Sequence, residues 1–306
     1  MAWEALRSNR KIEADGALSA PRGLTQDDTS LLVVLLDTNP YIWSQRKQKE
    51  LEWSSVLEHV FNFMSAYRLL KHENRLAFIS VHPGESKLLY PGSTDPTGTD
   101  MEDIKNEIVT QLNAHTRNEE LLKSNSGWSP MLSGALSLAL CYINRIQREE
   151  PLIRPRILVL HASPDVSNQY ISIMNCIFSA QKKSILIDTC ILGSNDSPFL
   201  QQASHLTGGI YLKPSQQKAL LQYALTCYLP DPFARKFLSL PTLTRVDFRA
   251  SCFCHKETID MGFVCSVCLS IYCGITLVCQ TCGTRLLQMG TAKKPLVKKA
   301  LPAAPK

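Results

Sequence analysis

Leu31-Leu-Val-Val-Leu-Leu-Asp-Thr-Asn-Pro40 is the stretch that decides the fold. Its six consecutive apolar residues are too few to span a membrane, and they describe a strand covered on both faces, as the central strands of a parallel sheet are. Asp37 closes the run at the carboxyl end, where open α/β sheets bind their ligands. Working outward, further apolar runs of strand length lie at 76–81, 88–90, 157–160, 185–192 and 210–212. Between them apolar residues fall at helical spacing: Leu57, Val60, Phe61 and Met64; Ile104, Ile108 and Leu112 in a polar helix over 100–123; Leu132 through Ile146; 171–178; and 219–228. This alternation predicts an α/β domain over 31–230, a doubly wound, mostly parallel sheet with helices on both faces. Residues 1–30, mixed in charge and without apolar period, read as a flexible leader, and 231–248 as a linker punctuated by Pro232 and Pro241.

Charge and cysteine are both distributed unevenly. The chain carries 33 Lys and Arg against 27 Asp and Glu, a formal charge of +6. Asp260 is the last acid, and the six bases after it (Arg285, Lys293, Lys294, Lys298, Lys299 and Lys306) account for the whole excess. Residues 1–260 are therefore neutral by count, a poor surface for tracking phosphates. The basic segment 291–306, rich in Lys, Pro and Ala, reads as a disordered tail whose contact with nucleic acid would be weak. With no signal peptide and no span, the expectation is a soluble intracellular protein without a membrane partner.

Of the 11 cysteines, Cys141, Cys176, Cys190 and Cys227 sit in apolar surroundings and read as small buried hydrophobes. The other seven crowd into 252–282, and an odd number in C-x2-C-like pairs points to metal rather than disulfides. Cys265-Ser-Val-Cys268 and Cys279-Gln-Thr-Cys282 are two knuckles ten residues apart, able to aim four thiolates at one tetrahedral Zn²⁺. A closed four-sulfur site leaves no position for water, so this zinc would be structural. Cys252, Cys254, His255 and Cys273 form a candidate second set, with Cys273 interleaved between the knuckles. Its weakness is that Cys254 and His255 are adjacent in the chain. The alternatives are one zinc or two, in a module covering 249–290.

At the sheet top, Asp37-Thr38-Asn39-Pro40-Tyr41 resembles in position the D-x-S-x-S metal-adhesion site of von Willebrand factor A domains and departs from it in chemistry. Ser129 stands where such domains supply a Thr, while the strand ending at His161-Ala162 lacks their fourth-strand Asp. Mg²⁺ demands a near-octahedral oxygen set, and Asp37, Asn39 and Ser129 do not complete one, so no Mg²⁺ is expected. Phosphate-loop, dinucleotide and nucleophile-elbow motifs are absent. His161, Ser163 and Asp165 read as a capped helix start rather than a triad. Asp188 reads as a buried carboxylate with no visible partner.

An A-type domain without its metal set, followed by a multi-cysteine module, resembles the smaller A-domain subunits of general transcription factor TFIIH. The resemblance is carried by Leu31–Pro40, Ala139-Leu-Cys-Tyr-Ile143, Ile185-Leu-Ile-Asp188, Leu206-Thr-Gly-Gly-Ile-Tyr-Leu-Lys213 and Tyr228-Leu-Pro-Asp231. Most specific are Cys252-Phe-Cys-His255 and Val264-Cys-Ser-Val-Cys-Leu-Ser-Ile271. It implies a von Willebrand factor A-like fold and a non-catalytic, nuclear core subunit acting in RNA polymerase II transcription and nucleotide excision repair. It also implies as partners a larger A-domain/RING subunit and the other core subunits of TFIIH. Alternatives of another class are a RING-type ubiquitin ligase, opposed by the Cys252-x-Cys254 spacing, and a nucleic-acid-binding zinc ribbon, opposed by the neutral main domain.

Overall fold

A computed structural model describes residues 29–45, 52–91, 100–116, 129–241, 246–255 and 258–285. Strand β1 (Ser30–Asp37) is buried along its whole length. It pairs in parallel with β2 (Arg75–Val81) on one side and β4 (Arg154–His161) on the other. With β3 (Ser86–Tyr90), β5 (Leu186–Ile191) and β6 (Tyr211–Leu212) the sheet order is β3-β2-β1-β4-β5-β6, and the edge strand β3 runs antiparallel.

The alternation of Cβ directions along β1 divides the core in two. Leu32, Val34 and Leu36 pack with residues of α2 (Trp53–Leu70), α3 (Met101–Thr116) and α7 (Leu220–Tyr223). Leu31, Val33 and Leu35 pack on the other face with α4 (Leu132–Glu149), α5 (Tyr170–Lys182) and α6 (Pro198–Thr207). The predicted two-faced, mostly parallel α/β sheet is therefore observed. Among the described residues no helix is long and apolar enough to cross a membrane.

Several elements depart from the sequence reading. Helix α1 (Pro40–Gln45) was not anticipated; Pro40 opens it at the first helical position, and the indole of Trp43 donates 2.9 Å back to the carbonyl of Asp37. Of the polar helix expected over 100–123, residues 117–123 lie outside the described residues. The last helix is not one regular element: it passes from a 3₁₀ turn (Gln217–Ala219) through α7 to a π turn (Ala224–Tyr228). Buried Arg156 of β4 accounts for the wide turn. Its guanidinium donates to the carbonyls of Tyr228 (2.7 Å), Pro230 (3.0 Å) and Leu229 (3.2 Å), satisfying the terminal carbonyls that a helix leaves open. Gly208 ends α6 in the left-handed conformation at φ 77°, and a Cβ on Gly209 would lie 2.0 Å from the carbonyl oxygen of Ile187.

The cysteine expectation holds for Cys190 and Cys227, which are buried, and not for Cys141, which is exposed, or Cys176, which is half-buried. The buried stripe of α4 runs through Ala135, Leu136, Ala139, Tyr142, Ile143 and Ile146, and helical geometry turns position 141 away from it.

Beyond residue 230 the chain is tied to the sheet. Arg235 makes a bidentate ion pair with Asp188, at 2.8 Å to Oδ1 and 2.6 Å to Oδ2, and the Ile210 amide donates to Oδ1 at 2.9 Å. Asp188, read from sequence as unpartnered, is thus one of the most completely satisfied groups in the fold. Farther on, Gln202 donates to the Asp247 carbonyl at 2.8 Å and the Phe248 ring meets His205 edge-on at 5.4 Å, so the approach to the cysteine module lies along α6. The module itself consists of two short antiparallel ribbons, β7 (Ala250–Ser251) with β8 (Thr258–Ile259) and β9 (Phe263–Val264) with β10 (Ile271–Tyr272).

Candidate metal centres and the sheet top

The ribbons bring the cysteines into two sets whose ligand atoms all lie within 4.8 Å of one another. Cys265, Cys268, Cys279 and Cys282 form one, and Cys252, Cys254, His255 and Cys273 the other. In the first, Cys265 Sγ is 3.8 Å from Cys282 Sγ and Cys268 Sγ 3.5 Å from Cys279 Sγ. Four sulfurs at 2.3 Å from a tetrahedral ion stand about 3.8 Å apart, so the donor set fits such an ion. Each knuckle is closed by backbone bonds, Leu269 N to Cys265 O at 3.0 Å and Gly283 N to Cys279 O at 2.8 Å.

The buried hydroxyl of Tyr272 supports the first set from outside, 3.1 Å from Cys279 Sγ, and accepts the Thr281 amide at 3.2 Å. Burial alone would raise the Cys279 thiol. The Tyr272 hydroxyl, the amides of Cys282 and Thr281, and Cys268 outweigh it and bring the thiol down to about 5, in the thiolate form that binds metal.

In the second set Cys254 Sγ lies 3.3 Å from His255 Nδ1 and 3.4 Å from Cys273 Sγ, and His255 Nδ1 is 3.2 Å from Cys273 Sγ. Adjacency in the chain therefore does not keep Cys254 and His255 apart; the turn over 253–255 directs both to one point. Cys252 Sγ accepts the Cys273 amide at 3.2 Å. In chain order the two sets interleave, so two groups that could each hold a metal ion brace one module. The core around them is small: Tyr272 with Cys265 and Cys279, flanked by Phe253.

The sheet top is arranged differently. Both oxygens of Asp37, a fully buried side chain, are engaged: Oδ1 accepts the Asn39 amide at 3.0 Å, and Oδ2 accepts the amides of Ala162 (3.1 Å) and Ser163 (2.8 Å). His161 Nδ1 stands 3.2 Å from the same Oδ2. Burial works to raise the Asp37 carboxyl, but His161, Ser163 and the Asn39 amide together hold it below its ordinary value. The Asn39 side chain donates to Ser163 Oγ at 3.2 Å and accepts the Tyr41 amide. Ser129 bonds instead with Pro130 and Gln169. The oxygens that an A-domain would offer to Mg²⁺ are here turned to backbone amides and an imidazole, and the residues do not fit a divalent ion.

Asp165 does not cap the helix next to it. It accepts Ser197 Oγ at 2.6 Å and the Phe199 amide at 3.1 Å, so it caps α6 together with Ser197, whose own Oγ accepts the Leu200 amide at 3.2 Å.

The model of the family described as "Transcription factor Tfb4" matches residues 29–283, which takes in the sheet and both cysteine sets. The chain belongs to the transcription factor Tfb4 family. Among its relatives, general transcription factor IIH subunit 3 of Dictyostelium discoideum is 42% identical, over 85% of this chain and 89% of that protein. General transcription and DNA repair factor IIH subunit TFB4 of Arabidopsis thaliana is 44% identical, over 84% and 89%. Of the solved structures, the TFIIH p34 N-terminal domain superimposes with a TM-score of 0.60 at 27% identity, covering 65% of this chain and 98% of that one.

Within this Tfb4-family chain, the structural residues that sequence reasoning missed are Arg156 and Arg235. Arg156 is a basic residue inside an apolar strand, a signal that was present; Arg235 gave none, because its partner is 47 residues away.

Proposed function

We propose that this chain is a non-catalytic structural subunit of the TFIIH core, serving RNA polymerase II transcription initiation and nucleotide excision repair by protein–protein scaffolding in the nucleus. The observation that carries the reading is the family match over 29–283, which spans the α/β domain and the cysteine module together. The site chemistry agrees with it, since the polar groups at the sheet top are engaged with one another rather than presented to a substrate. In this reading the A-type domain pairs with the larger A-domain/RING subunit, and the cysteine module docks on the remaining core subunits. Zn²⁺ occupies both cysteine sets as a structural ion, and no Mg²⁺ binds at Asp37.

The module surface suits a protein partner. Residues 261–284 contain no Lys, Arg, His, Asp or Glu, while Val264, Val267, Leu269, Ile275 and Leu277 are each more than half exposed. This stretch carries no cation to pair with phosphates, and exposed apolar residues in such density mark a protein contact. Contact with nucleic acid is left to the basic tail and is weak. Affinity purification of the tagged chain from cells tests the proposal: recovery of TFIIH subunits in equal stoichiometry supports it, and elution of the chain alone overturns it.

A further inference from the structure

The buried imidazole of His161 has a role that neither the family nor the cysteine module explains. It ends β4 at the place where an A-type domain carries a metal-binding carboxylate, and its side chain is 3% exposed. Nδ1 is 3.2 Å from Asp37 Oδ2 and Nε2 is 4.0 Å from Asp165 Oδ1, so the ring stands between two buried carboxylates from different segments. A neutral imidazole has one donor and one acceptor nitrogen. Here Nδ1 faces one acceptor-only carboxylate at 3.2 Å and Nε2 another at 4.0 Å, and neither has an aligned hydrogen-bond partner among the described residues. A lone pair on either side would be turned toward negative charge in a buried position. Only the doubly protonated ring presents N–H to both carboxylates.

We propose that the His161 imidazolium is the resident cation of the sheet top, standing in the place of the divalent metal of A-type domains and tying β1 and the Asp165 cap of α6 to the end of β4. This arrangement keeps the site closed and metal-independent, and makes its charge balance sensitive to pH.

The charge count around the ring is consistent. Asp37 faces it from β1 and Asp165 from the segment after β4; burial raises the Asp165 carboxyl above its ordinary value, while the His161 charge, the Ser197 hydroxyl and the Phe199 amide at the α6 N-terminus work to lower it. The neighbouring titratable groups have other partners: His82, after β2, contacts the hydroxyl and carbonyl of Thr38, and Asp196 lies against the Tyr211 hydroxyl and Lys213. α1, packed beside β1, carries no charged residue. Burial works against a charged imidazole, yet the close contact and charge of Asp37, with the charge of Asp165, raise His161 above its ordinary value.

The test is ring-nitrogen NMR of the full chain, labelled at its seven histidines, together with thermal unfolding of wild type and His161→Gln between pH 5.5 and 9. The expected result is one ring with both nitrogens protonated at pH 7, a signal absent in His161→Gln and unmoved by millimolar Mg²⁺. A group whose folded pKa is raised stabilises fully below its unfolded value of about 6.5 and loses that contribution as pH rises through the folded one. The Tm gap between wild type and His161→Gln is therefore widest near pH 6 and narrows toward pH 9. Asp165→Asn keeps the Asp37 contact and moves the titration to lower pH, which assigns the signal even if His161→Gln does not fold. A neutral ring at pH 7, a Tm gap independent of pH, or a Mg²⁺-induced shift of the ring signals would overturn the proposal.

Discussion

Asp188 and Arg235 show what one residue pair does in this fold. The carboxylate is 1% exposed, and the guanidinium reaches it from the segment that follows the last helix. Removing one partner of a buried ion pair leaves an uncompensated charge and costs about 3–5 kcal/mol, more than the pair itself contributes relative to an apolar replacement. Arg235→Ala is thus expected to destabilise the full chain by about that amount in urea, and Arg235→Lys by less, since an ammonium keeps the charge but not the fork; a loss for Arg235→Ala within about 0.5 kcal/mol, the range of an ordinary surface change, would contradict the assignment. Asp37 carries a pH prediction of opposite sign to that of His161. Its carboxyl is held below the ordinary value, so it stabilises above the unfolded pKa of about 3.9 and loses that contribution as pH falls through the folded one. Asp37→Asn should be destabilised at pH 6 relative to wild type, with the gap closing on acidification below pH 4. At this scale the sequence was legible where a residue's role follows from its place on an element, as with Asp37 at a strand end. It was not legible where the partner is remote, as with Arg235, or where a polar residue caps a different helix from the one it precedes, as with Asp165.

Among the elements, the knuckles were readable because C-x2-C spacing is itself geometry: a tight turn aims both thiolates at one point. The second set was harder, since adjacent Cys254 and His255 converge only through a turn that spacing does not reveal. If both sets hold zinc, metal analysis of the full chain will give two ions. Cys265→Ser will lose the ion of its own set, and Cys273→Ser that of the other; two ions retained in Cys265→Ser would refute the knuckle assignment.

Leu269 adds a second element-scale test. It follows the first knuckle at φ 60°, a left-handed conformation that disfavours side chains, and it is 59% exposed. Leu269→Gly should therefore stabilise the module by about 1 kcal/mol. Under the docking account the same change should weaken assembly, because an exposed apolar side chain in a strained position is retained for contact rather than for folding. The π turn at Ala224–Tyr228 is the corresponding failure of sequence reading. Its periodicity looks helical throughout, and only the buried Arg156 beneath it reveals why the last carbonyls spread apart.

The whole molecule is an A-type sheet with its top closed and a cysteine module with apolar residues left exposed. Phe263, Val264, Val267, Leu269, Ile275, Leu277 and Val278 are all at least 45% exposed, more apolar surface than a module with a three-residue buried core can cover. The two-faced sheet was legible from the apolar run at Leu31–Leu36 together with the alternation of strand-length runs and helix-spaced segments that follows it. The exposure of the module was foreseeable only in outline, since some forty residues cannot bury so many apolar side chains. Which of them stay outside depended on the ribbon register. The central claim is that this chain is an architectural subunit whose module docks it into TFIIH. Its most direct test is co-purification of a tagged chain truncated at residue 248 beside the full-length chain, with each TFIIH subunit quantified. The account predicts that the full chain recovers the core subunits in equal stoichiometry and that the truncated chain keeps the larger A-domain subunit while losing a large part of the rest. Full recovery of every subunit by the truncated chain would contradict it.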